Sequence, residues 1–246
     1  MSELKPSVVA FLPVYNQEAQ VGWVLERLEP VLAEGTVQEV LAVDDGSTDG
    51  TPAILAGCGH CTVLTHETRR GIGAAIQTAY RYALERGYDV FLIMAGNGKD
   101  DPAEIPKIVG PVLRDEADYV QGSRFAEGGI SAGLPWHRNL AIRVFTLTFS
   151  LFVGQRFTDC ANGFRAYRTS ILRDERLNWS QDWLQSYELE YYVHYKAVRL
   201  GYRVTEVPVS KVYRRASPDG SYSKMRARDW LVALKPLFYL RLGLKH

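Results

Sequence analysis

The sequence predicts an α/β fold in which helices cover both faces of a mostly parallel sheet. Continuous apolar runs at residues 8–12 (VVAFL) and 90–94 (VFLIM) are typical of strands that are buried on both faces. Segments with apolar residues at helical spacing, such as residues 19–32, separate these runs. The chain has 246 residues, which is enough to bury the core of one large domain.

The elements follow one another regularly through the first half of the chain. Strands are predicted at residues 8–12, 40–43, 62–65, 90–94 and 119–121. Helices are predicted at residues 19–32, from Thr51, at residues 72–86 and from Asp101. Pro52 suits a first helical position, Gly87 is a typical helix stop, and Asp101 with Glu104 matches a capping box.

The second half is less regular. One or two helices are expected within residues 134–154, a short strand or turn at 162–167 and a helix at 182–200. A strand at residues 204–209 and a helix at 225–240 complete the chain. Residues 130–154 and 230–244 combine basic with apolar side chains. Two interpretations stay open for them: amphipathic helices at a membrane interface, or helices packed within the domain.

Composition and charge exclude several classes of protein. The formal net charge of +1 gives no reason to expect nucleic-acid binding. The first residues do not match a signal peptide, and no apolar run reaches the ~18 residues of a membrane span. The three cysteines indicate a reducing compartment rather than a disulfide scaffold. We therefore expect a cytoplasmic protein.

Polar and glycine-rich segments follow the predicted strands. They are residues 15–16, 44–47, 95–99 and 122–124. Because ligands of an open parallel sheet bind at the carboxyl ends of the strands, these four loops are expected to surround one site. Asp44 and Asp45 directly follow a buried strand, where carboxylates can accept hydrogen bonds from a nucleobase N–H or from ribose hydroxyls.

Seven short motifs occur in order along the chain. They are residues 12–18 (LPVYNQE), 43–51 (VDDGSTDGT), 71–75 (GIGAA), 101–106 (DPAEIP), 122–125 (GSRF), 162–167 (NGFRAY) and 206–209 (EVPV). The set resembles the inverting glycosyltransferases of family 2, which have the GT-A fold, and most closely their dolichyl-phosphate mannose synthase branch. The resemblance covers roughly residues 8–226.

The resemblance implies a Rossmann-like sheet flanked by helices, with amphipathic helices towards the C-terminus. It further implies one domain over residues 1–246, with a nucleotide-sugar-binding half at 1–125 and an acceptor-binding half at 126–246. A UDP- or GDP-sugar is the expected donor. Its nucleotide pocket would be formed by Pro13, Tyr15, Glu18, Asp44, Asp45, Gly71 and Gly73, the two glycines allowing close approach of the backbone.

Basic residues at matching positions would hold the phosphates. Arg124 would face the donor diphosphate or the acceptor phosphate. Arg138 and Arg214 fall where the branch keeps arginines that grip a lipid phosphate. Lys224 matches a lysine near the diphosphate. The resemblance thus implies a site for two anions held close together.

The loop after the fourth predicted strand departs from the family pattern. The pattern is an acidic residue, any residue and then an Asp that ligates Mg²⁺ or Mn²⁺. Ala95, Gly96 and Asn97 occupy these positions. Asn97 would also contact the substrate, and Asn97 and Asp100 are the candidate metal ligands. Whether the protein requires a metal stays open on this sequence.

Three accounts of this departure compete. A metal binds through Asn97 and the donor phosphates, or basic side chains replace it, or catalysis has been lost. The basic candidates are Arg124, Arg214 and Lys224. Their retention makes loss of catalysis the least favoured account.

Two carboxylates are candidate general bases beside Arg124 in the catalytic set. Asp159 precedes the NGFRAY motif, where the branch places a carboxylate. Glu188 shares a helix face with Tyr191 and Tyr195, which is equally compatible with core packing. Glu190, two positions further along the same helix, is either the general base in place of Glu188 or a charge on the helix surface.

The acceptor follows from the chemistry of inverting transfer. A sugar hydroxyl needs a positioned base, whereas a lipid phosphate is already ionised and needs cations instead. The arginines therefore favour a polyprenyl-phosphate acceptor, with the protein peripheral on the inner face of the cell membrane. The alternatives are a soluble hydroxyl acceptor and a catalytically silent nucleotide-sugar-binding protein. A nucleotidyltransferase is disfavoured because residues 13–18 (PVYNQE) contain neither glycine nor a basic residue.

Overall fold

The computed structural model describes residues 5–213 and 227–245. The strands are β1 (Val8–Val14), β2 (Glu39–Asp44), β3 (Cys61–Thr65), β4 (Val90–Ile93), β5 (Tyr119–Ser123), β6 (Ile130–Ala132), β7 (Arg165–Arg168), β8 (Val204–Pro208) and β9 (Ser210–Val212). The helices are α1 (Val21–Ala33), α2 (Thr51–Ala56), α3 (Ile72–Glu85), α4 (Ile105–Leu113), α5 (Trp136–Val153), α6 (Ser170–Arg173), α7 (Glu188–Arg199) and α8 (Ala227–Arg241). The predicted α/β fold class is confirmed.

The main sheet runs in the order β3-β2-β1-β4-β7-β5-β8. Strands β1 to β4 pair in parallel, and β5 pairs in parallel with β8. Strand β7 lies antiparallel between β4 and β5. Strands β6 and β9 form a separate small parallel sheet. Strands from both halves of the chain therefore alternate within one sheet.

Alternate residues of the central strands face two apolar cores. In β1, Val8, Ala10 and Leu12 pack in the core that α1 and α4 close. Val9 and Phe11 pack in the opposite core, which α3 and α7 close. Both faces of the strand are thus buried, which explains why its sequence is continuously apolar.

A third apolar cluster joins α5, α7 and α8, with Phe149, Tyr191 and Leu237 among its buried members. Helix α5 is one continuous helix, which ends at Gly154 with a positive φ of 81°. No helix among the described residues is long and apolar enough to cross a bilayer. Both predicted amphipathic segments therefore make some contacts within the domain.

Helix α7 begins at Glu188, not at residue 182 as the aromatic-rich pattern predicts. The carbonyl groups just before it bind α3 instead of continuing a helix. The Gly73 amide donates to the Gln185 carbonyl at 3.1 Å, and the Gln77 side chain donates to the Leu184 carbonyl at 3.2 Å. These contacts fix the 184–186 segment as a bent loop beside the start of α3.

The predicted capping box at Asp101 forms only in part. Asp101 accepts a hydrogen bond from the Ala103 amide at 3.1 Å, and a 3₁₀ turn at Pro102–Glu104 leads into α4. The Glu104 carboxylate does not return to the Asp101 amide. It accepts from the Ser210 amide at 2.7 Å, and so ties β9 to this turn.

Candidate active site

A cavity of about 590 Å³ opens at the carboxyl ends of β1, β2, β4 and β5. This volume is within the range of small-molecule sites. The loops after β1 and β4, the first half of α5 and residues 211–213 contribute to its walls. Several predicted site residues line it, namely Pro13, Tyr15, Asp45, Asn97, Arg124 and Arg138. The structure thus brings together residues that are far apart in the sequence.

One end of the cavity lies at the carboxyl ends of β1 and β2. Pro13 and Tyr15 line it, and the Arg69 guanidinium lies 4.3 Å from the centre of the Tyr15 ring. Arg69 was not among the predicted site residues, although it lies two positions before the GIGAA motif. This end offers flat aromatic and guanidinium surfaces, which suit stacking by a planar ring.

Asp44 and Asp45 hold loops in place. The Asp45 carboxylate accepts hydrogen bonds from the Arg70 and Gly71 amides, both at 2.8 Å, and lies 2.8 Å from His66 Nδ1. Asp44 accepts from the Ser47 amide at 3.0 Å and does not line the cavity. Asp45 alone of the pair reaches the cavity wall, and its hydrogen bonds orient the 66–71 loop.

Glu18 and the two glycines lie outside the cavity wall. The Glu18 carboxylate accepts from the Gly50 amide at 2.9 Å and links the loops after β1 and β2. A Cβ at Gly71 would lie 2.7 Å from the Gln185 carbonyl oxygen, and one at Gly73 would lie 2.4 Å from the Gln185 carbonyl carbon. The close approach at these glycines is therefore to the chain's own 184–186 segment.

Arg124 and Asp159 form a buried, bidentate ion pair in the middle of the site. Arg124 Nε lies 2.6 Å from Asp159 Oδ2, and Arg124 Nη2 lies 2.7 Å from Oδ1. The Arg124 and Ala161 amides also donate to this carboxylate, at 3.0 and 3.2 Å. Asp159 is fully buried, so its place is behind Arg124, which faces the cavity.

The loop after β4 does not offer the ligands that a divalent metal needs. Ala95 has no side-chain oxygen, and Asn97 Oδ1 accepts from the Lys99 amide at 3.3 Å. Asp100 Oδ1 lies 2.6 Å from Lys211 Nζ, and Oδ2 accepts from the Ala95 amide at 3.3 Å. Within residues 5–213 and 227–245 there is no cluster of three carboxylate, His or Cys side chains. The residues present do not fit the metal that the resemblance implies, which corrects the assignment of Asp100 as a ligand.

Glu190, rather than Glu188, faces the cavity. Its carboxylate lies 3.7 Å from the Arg165 guanidinium, and burial raises its pKa above the ordinary value. Glu188 is buried away from the cavity wall, and burial also raises its pKa. The interpretation of Glu190 as a surface charge is therefore wrong, and Glu188 is not placed to act as a base in this cavity.

Arg138 lines the cavity from the first turns of α5, together with Ile142 one turn later. Arg214 and Lys224, the other two predicted phosphate-binding residues, lie outside the described residues. Tyr213 closes this side of the cavity. Its hydroxyl accepts from Arg124 Nη1 at 2.7 Å, and Lys99 Nζ lies 5.3 Å from the centre of its ring.

Basic side chains outnumber carboxylates in the part of the wall that the structure describes. The basic residues are Arg69, Lys99, Arg124, Arg138 and Lys211, and the carboxylates are Asp45 and Glu190. Asp159 and Asp100 lie behind Arg124 and Lys211, so the positive partner of each pair faces the cavity. Fixed, partly desolvated cations of this kind stabilise bound or developing negative charge.

The chain matches the family model described as Glycosyl transferase family 2 over residues 9–176. It is 33% identical over 211 residues to the undecaprenyl-phosphate mannosyltransferase of Micrococcus luteus, with 84% of each chain covered. It is 30% identical over 208 residues to the polyprenol monophosphomannose synthase of Mycolicibacterium smegmatis, with 82% of this chain and 76% of the relative covered.

The fold is similar to that of solved glycosyltransferases. A crystal structure of the Mycobacterium tuberculosis glucosyl-3-phosphoglycerate synthase with UDP superposes with a TM-score of 0.70, at 20% identity, and covers 98% of this chain and 82% of its own. A second structure of that enzyme contains Mn²⁺, UDP and phosphoglyceric acid. It superposes with a TM-score of 0.67 at 20% identity, and the match covers 98% of this chain and 80% of that enzyme. The chain therefore belongs to glycosyl transferase family 2 and is a glycosyltransferase with the GT-A fold.

Proposed function

We propose that the protein transfers a sugar from a nucleoside-diphosphate sugar to a polyprenyl-phosphate acceptor at a membrane surface, with inversion at the anomeric carbon. The observation that carries this proposal is the position of α5. Its first turns place Arg138 and Ile142 in the cavity wall, while another face of the same helix is apolar and exposed. One helix thus joins a cationic cavity to an apolar surface.

The exposed face of α5 is a continuous apolar stripe. Trp136 is 77% exposed, Leu147 62% and Leu151 74%, and Leu140 and Val144 lie between them on the same face. Further apolar residues are exposed in α8 and just after it, namely Phe238, Leu242 and Leu244, and the Phe238 ring contacts Phe152 of α5. An exposed apolar surface of this kind is typical of a contact with lipid or protein. A lipid acceptor needs such a surface beside the site for its phosphate.

The cavity fits the reaction of two phosphate-bearing substrates. An acceptor phosphate oxygen attacks the anomeric carbon as the bond from that carbon to the donor diphosphate breaks, and the nucleoside diphosphate leaves with the bonding electrons. In this proposal Arg124 and Arg138, which both line the cavity, hold the two anions together, and an ionised phosphate nucleophile needs no base. Tyr15, Arg69 and Asp45 would bind the nucleoside at the other end.

The named activities of the relatives support a lipid-phosphate acceptor. The relatives from Micrococcus luteus and Mycolicibacterium smegmatis carry polyprenyl-phosphate mannosyltransferase names. A third relative, from Methanococcus voltae, is a UDP-N-acetylglucosamine–dolichyl-phosphate N-acetylglucosaminyltransferase, 25% identical over 256 residues, with 97% of this chain and 96% of the relative covered. The sugars in these names differ and only one name gives a nucleotide, so we propose the acceptor class and leave the donor to a UDP- and GDP-sugar panel.

The test is a transfer assay with polyprenyl phosphate in lipid vesicles. We expect sugar transfer from at least one UDP- or GDP-sugar, and loss of most of it in Arg138→Met. Arg143→Met is the matched control, because Arg143 is on the same helix but lies outside the cavity wall, 4.3 Å from the centre of the Phe125 ring. Nucleotide binding without any transfer would contradict the proposal and favour a silent binding protein.

Membrane association has its own test. The double substitution Leu147→Glu and Leu151→Glu places charge on the exposed stripe without touching the cavity wall. We expect wild-type protein to float with vesicles and the double variant to remain in the dense fractions. The double variant should still bind nucleotide, and flotation equal to wild type would contradict a membrane role for this stripe.

A soluble hydroxyl acceptor is the second candidate, and Glu190 is the observation that favours it. A buried carboxylate with a raised pKa in the cavity wall is a suitable general base. If the acceptor is a hydroxyl, Glu190→Gln should abolish transfer and remove the acidic limb of the pH–rate profile. With a phosphate acceptor the variant should retain that limb and a substantial part of its rate.

A further inference from the structure

A buried lysine lies beside the loop that departs from the family's metal-binding pattern. Lys211 Nζ is 2.6 Å from Asp100 Oδ1 and 2.8 Å from Asn162 Oδ1. Its side chain is only 10% exposed, and that of Asp100 is fully buried. Lys211 nevertheless lines the cavity, along with Ala95 and Asn97 of the departing loop. The cavity wall therefore contains an ammonium group together with the loop that lacks the family's acidic residues.

The backbone holds this lysine in place. The Val212 amide donates to the Lys99 carbonyl at 2.9 Å, and Asp100 and Lys211 form an antiparallel bridge. Strand β9 is also fixed by Glu104, which accepts from the Ser210 amide. Residues of β9 and the loop after β4 thus form one unit, in which Lys211 cannot leave the cavity wall without breaking main-chain contacts.

The contacts of the ammonium group leave it able to bind a ligand. An ammonium group has three N–H donors, and Asp100 and Asn162 accept two of them. Burying a lysine and an aspartate together offers little net stability over an apolar pair of similar size. The position of this pair in a cavity wall therefore calls for a use beyond stability, and an oxyanion is the natural partner of the third N–H.

We infer that Lys211 supplies the positive charge that a divalent metal would otherwise bring to the donor diphosphate, so that nucleoside diphosphates bind this protein without metal. The inference rests on the proposed use of a nucleoside-diphosphate sugar. Ala95 and Asn97 remove the acidic ligands, and Lys211 puts a cation within the same cavity. In this arrangement Asp100 orients the Lys211 ammonium group and does not ligate a metal ion.

The test is calorimetric binding of UDP and GDP to the full chain, in EDTA and in Mn²⁺. We expect the wild type to bind the preferred diphosphate with similar affinity in both conditions. Lys211→Met should weaken that binding in EDTA about tenfold or more, because it removes a charge-assisted hydrogen bond. Binding of uridine or guanosine, followed by ligand-observed NMR, should be unchanged.

Three further variants keep the test decisive. Asp100→Asn combined with Lys211→Met removes both buried charges, so it should show the same loss even if the single variant folds poorly. Lys211→Arg keeps the charge and should retain most of the diphosphate affinity. Lys107→Met is the matched control, because Lys107 is 57% exposed, lies outside the cavity wall and carries the same charge.

The outcomes separate this inference from the proposed function. Wild-type binding of UDP or GDP that requires Mn²⁺ would overturn the role of Lys211 and leave the glycosyl-transfer proposal intact. Unchanged diphosphate affinity in Lys211→Met, alone and combined with Asp100→Asn, would likewise overturn the role of Lys211 and leave the glycosyl-transfer proposal intact. If neither diphosphate bound in either condition, the donor class itself would be wrong, and the inference would fall with it.

Discussion

Asn97 stands where the family's sequence pattern has an acidic residue. Its amide oxygen accepts from the Lys99 amide, and Lys211 lies in the same cavity wall. We expect Asn97→Asp to increase the response of transfer or nucleotide binding to Mn²⁺, because a carboxylate restores one anionic ligand. Activity titrated with Mn²⁺ measures this response. Asn178→Asp, in an exposed position, is the control, and an identical Mn²⁺ response in Asn97→Asp and wild type would refute this role of Asn97.

Asp159 is expected to act by holding Arg124 rather than as a base. Asp159→Asn should destabilise the protein by roughly 3 kcal/mol, because it leaves a buried guanidinium without its counter-charge. Urea unfolding measures the loss. Asp182→Asn, at an exposed position, should change stability by less than about 0.5 kcal/mol. A stable Asp159→Asn protein that has lost only the acidic limb of its pH–rate profile would instead make Asp159 a base.

Residues at or just after a strand end could mostly be placed beside the cavity from the sequence, with Asp44 as an exception. Pro13, Tyr15, Asp45 and Arg124 lie beside the cavity because parallel strands bring their carboxyl ends together. Lys211 could not be predicted this way, since its partners Asp100 and Asn162 come from two separate loops far from it in the chain.

The two glutamates of α7 show a second limit of sequence reasoning at this scale. Helical spacing correctly assigns Glu188 to the face that holds Tyr191 and Tyr195. The spacing does not say which face meets the core and which meets the cavity. That depends on how α7 packs against α5 and the sheet, which only the structure shows.

At the scale of elements, the start of α3 is packed directly against the 184–186 segment. In a helix, alanine is favoured over glycine by about 1 kcal/mol, but a Cβ at Gly73 would collide with backbone atoms of Gln185. We expect Gly73→Ala to lose a net 1–3 kcal/mol or so, as overpacked sites do. Thermal or urea unfolding checks this. Gly59→Ala is the control, because a Cβ there meets nothing within 4 Å, and equal stability of the two variants would contradict the packing argument.

An ion pair between Asp118 and Arg203 joins the residues that directly precede β5 and β8. The Asp118 carboxylate accepts from the Arg203 amide at 2.9 Å and from Arg203 Nη2 at 2.8 Å, and these hydrogen bonds lower the pKa of Asp118. A lowered folded-state pKa contributes stability above the unfolded pKa of about 3.9, and this stability is lost as the pH falls through the folded value.

Asp118→Asn should therefore lower the unfolding midpoint at neutral pH. The difference from wild type should shrink below about pH 4, where the wild-type carboxylate also becomes protonated. Chemical unfolding at a series of pH values measures the midpoint of each protein and the pH dependence of the difference between them. A difference that stayed constant down to the acid range would show that the charge of Asp118 does not matter.

For the whole molecule, ligand binding should appear as stabilisation. A ligand at about 100 times its Kd adds roughly 2.7 kcal/mol, which raises the Tm of a chain of this size by roughly 5–10 °C. We expect one UDP- or GDP-sugar to give such a shift and the corresponding free sugar to give none. A thermal-shift panel ranks the donors, and a panel without any stabilising nucleotide sugar would contradict the central assignment.

The fold of the first half was predictable because each element carries its own signal. Runs such as those of β1 and β4 are apolar throughout, and turn residues mark their ends. The second half contains β7, whose sequence Arg165–Arg168 is not apolar at its ends. Its place between β4 and β5 is set by long-range pairing, which local patterns do not encode.

The insertion of β7 has a consequence for the protein while it is being synthesised. Strands β4 and β5 leave the ribosome early, but the strand that joins them begins only at Arg165. Until then β4 lacks a partner at one edge and β5 lacks a partner at both, and such unpaired strand edges are templates for wrong pairing. A transcript truncated between these points would therefore yield an aggregating fragment rather than a small nucleotide-binding domain.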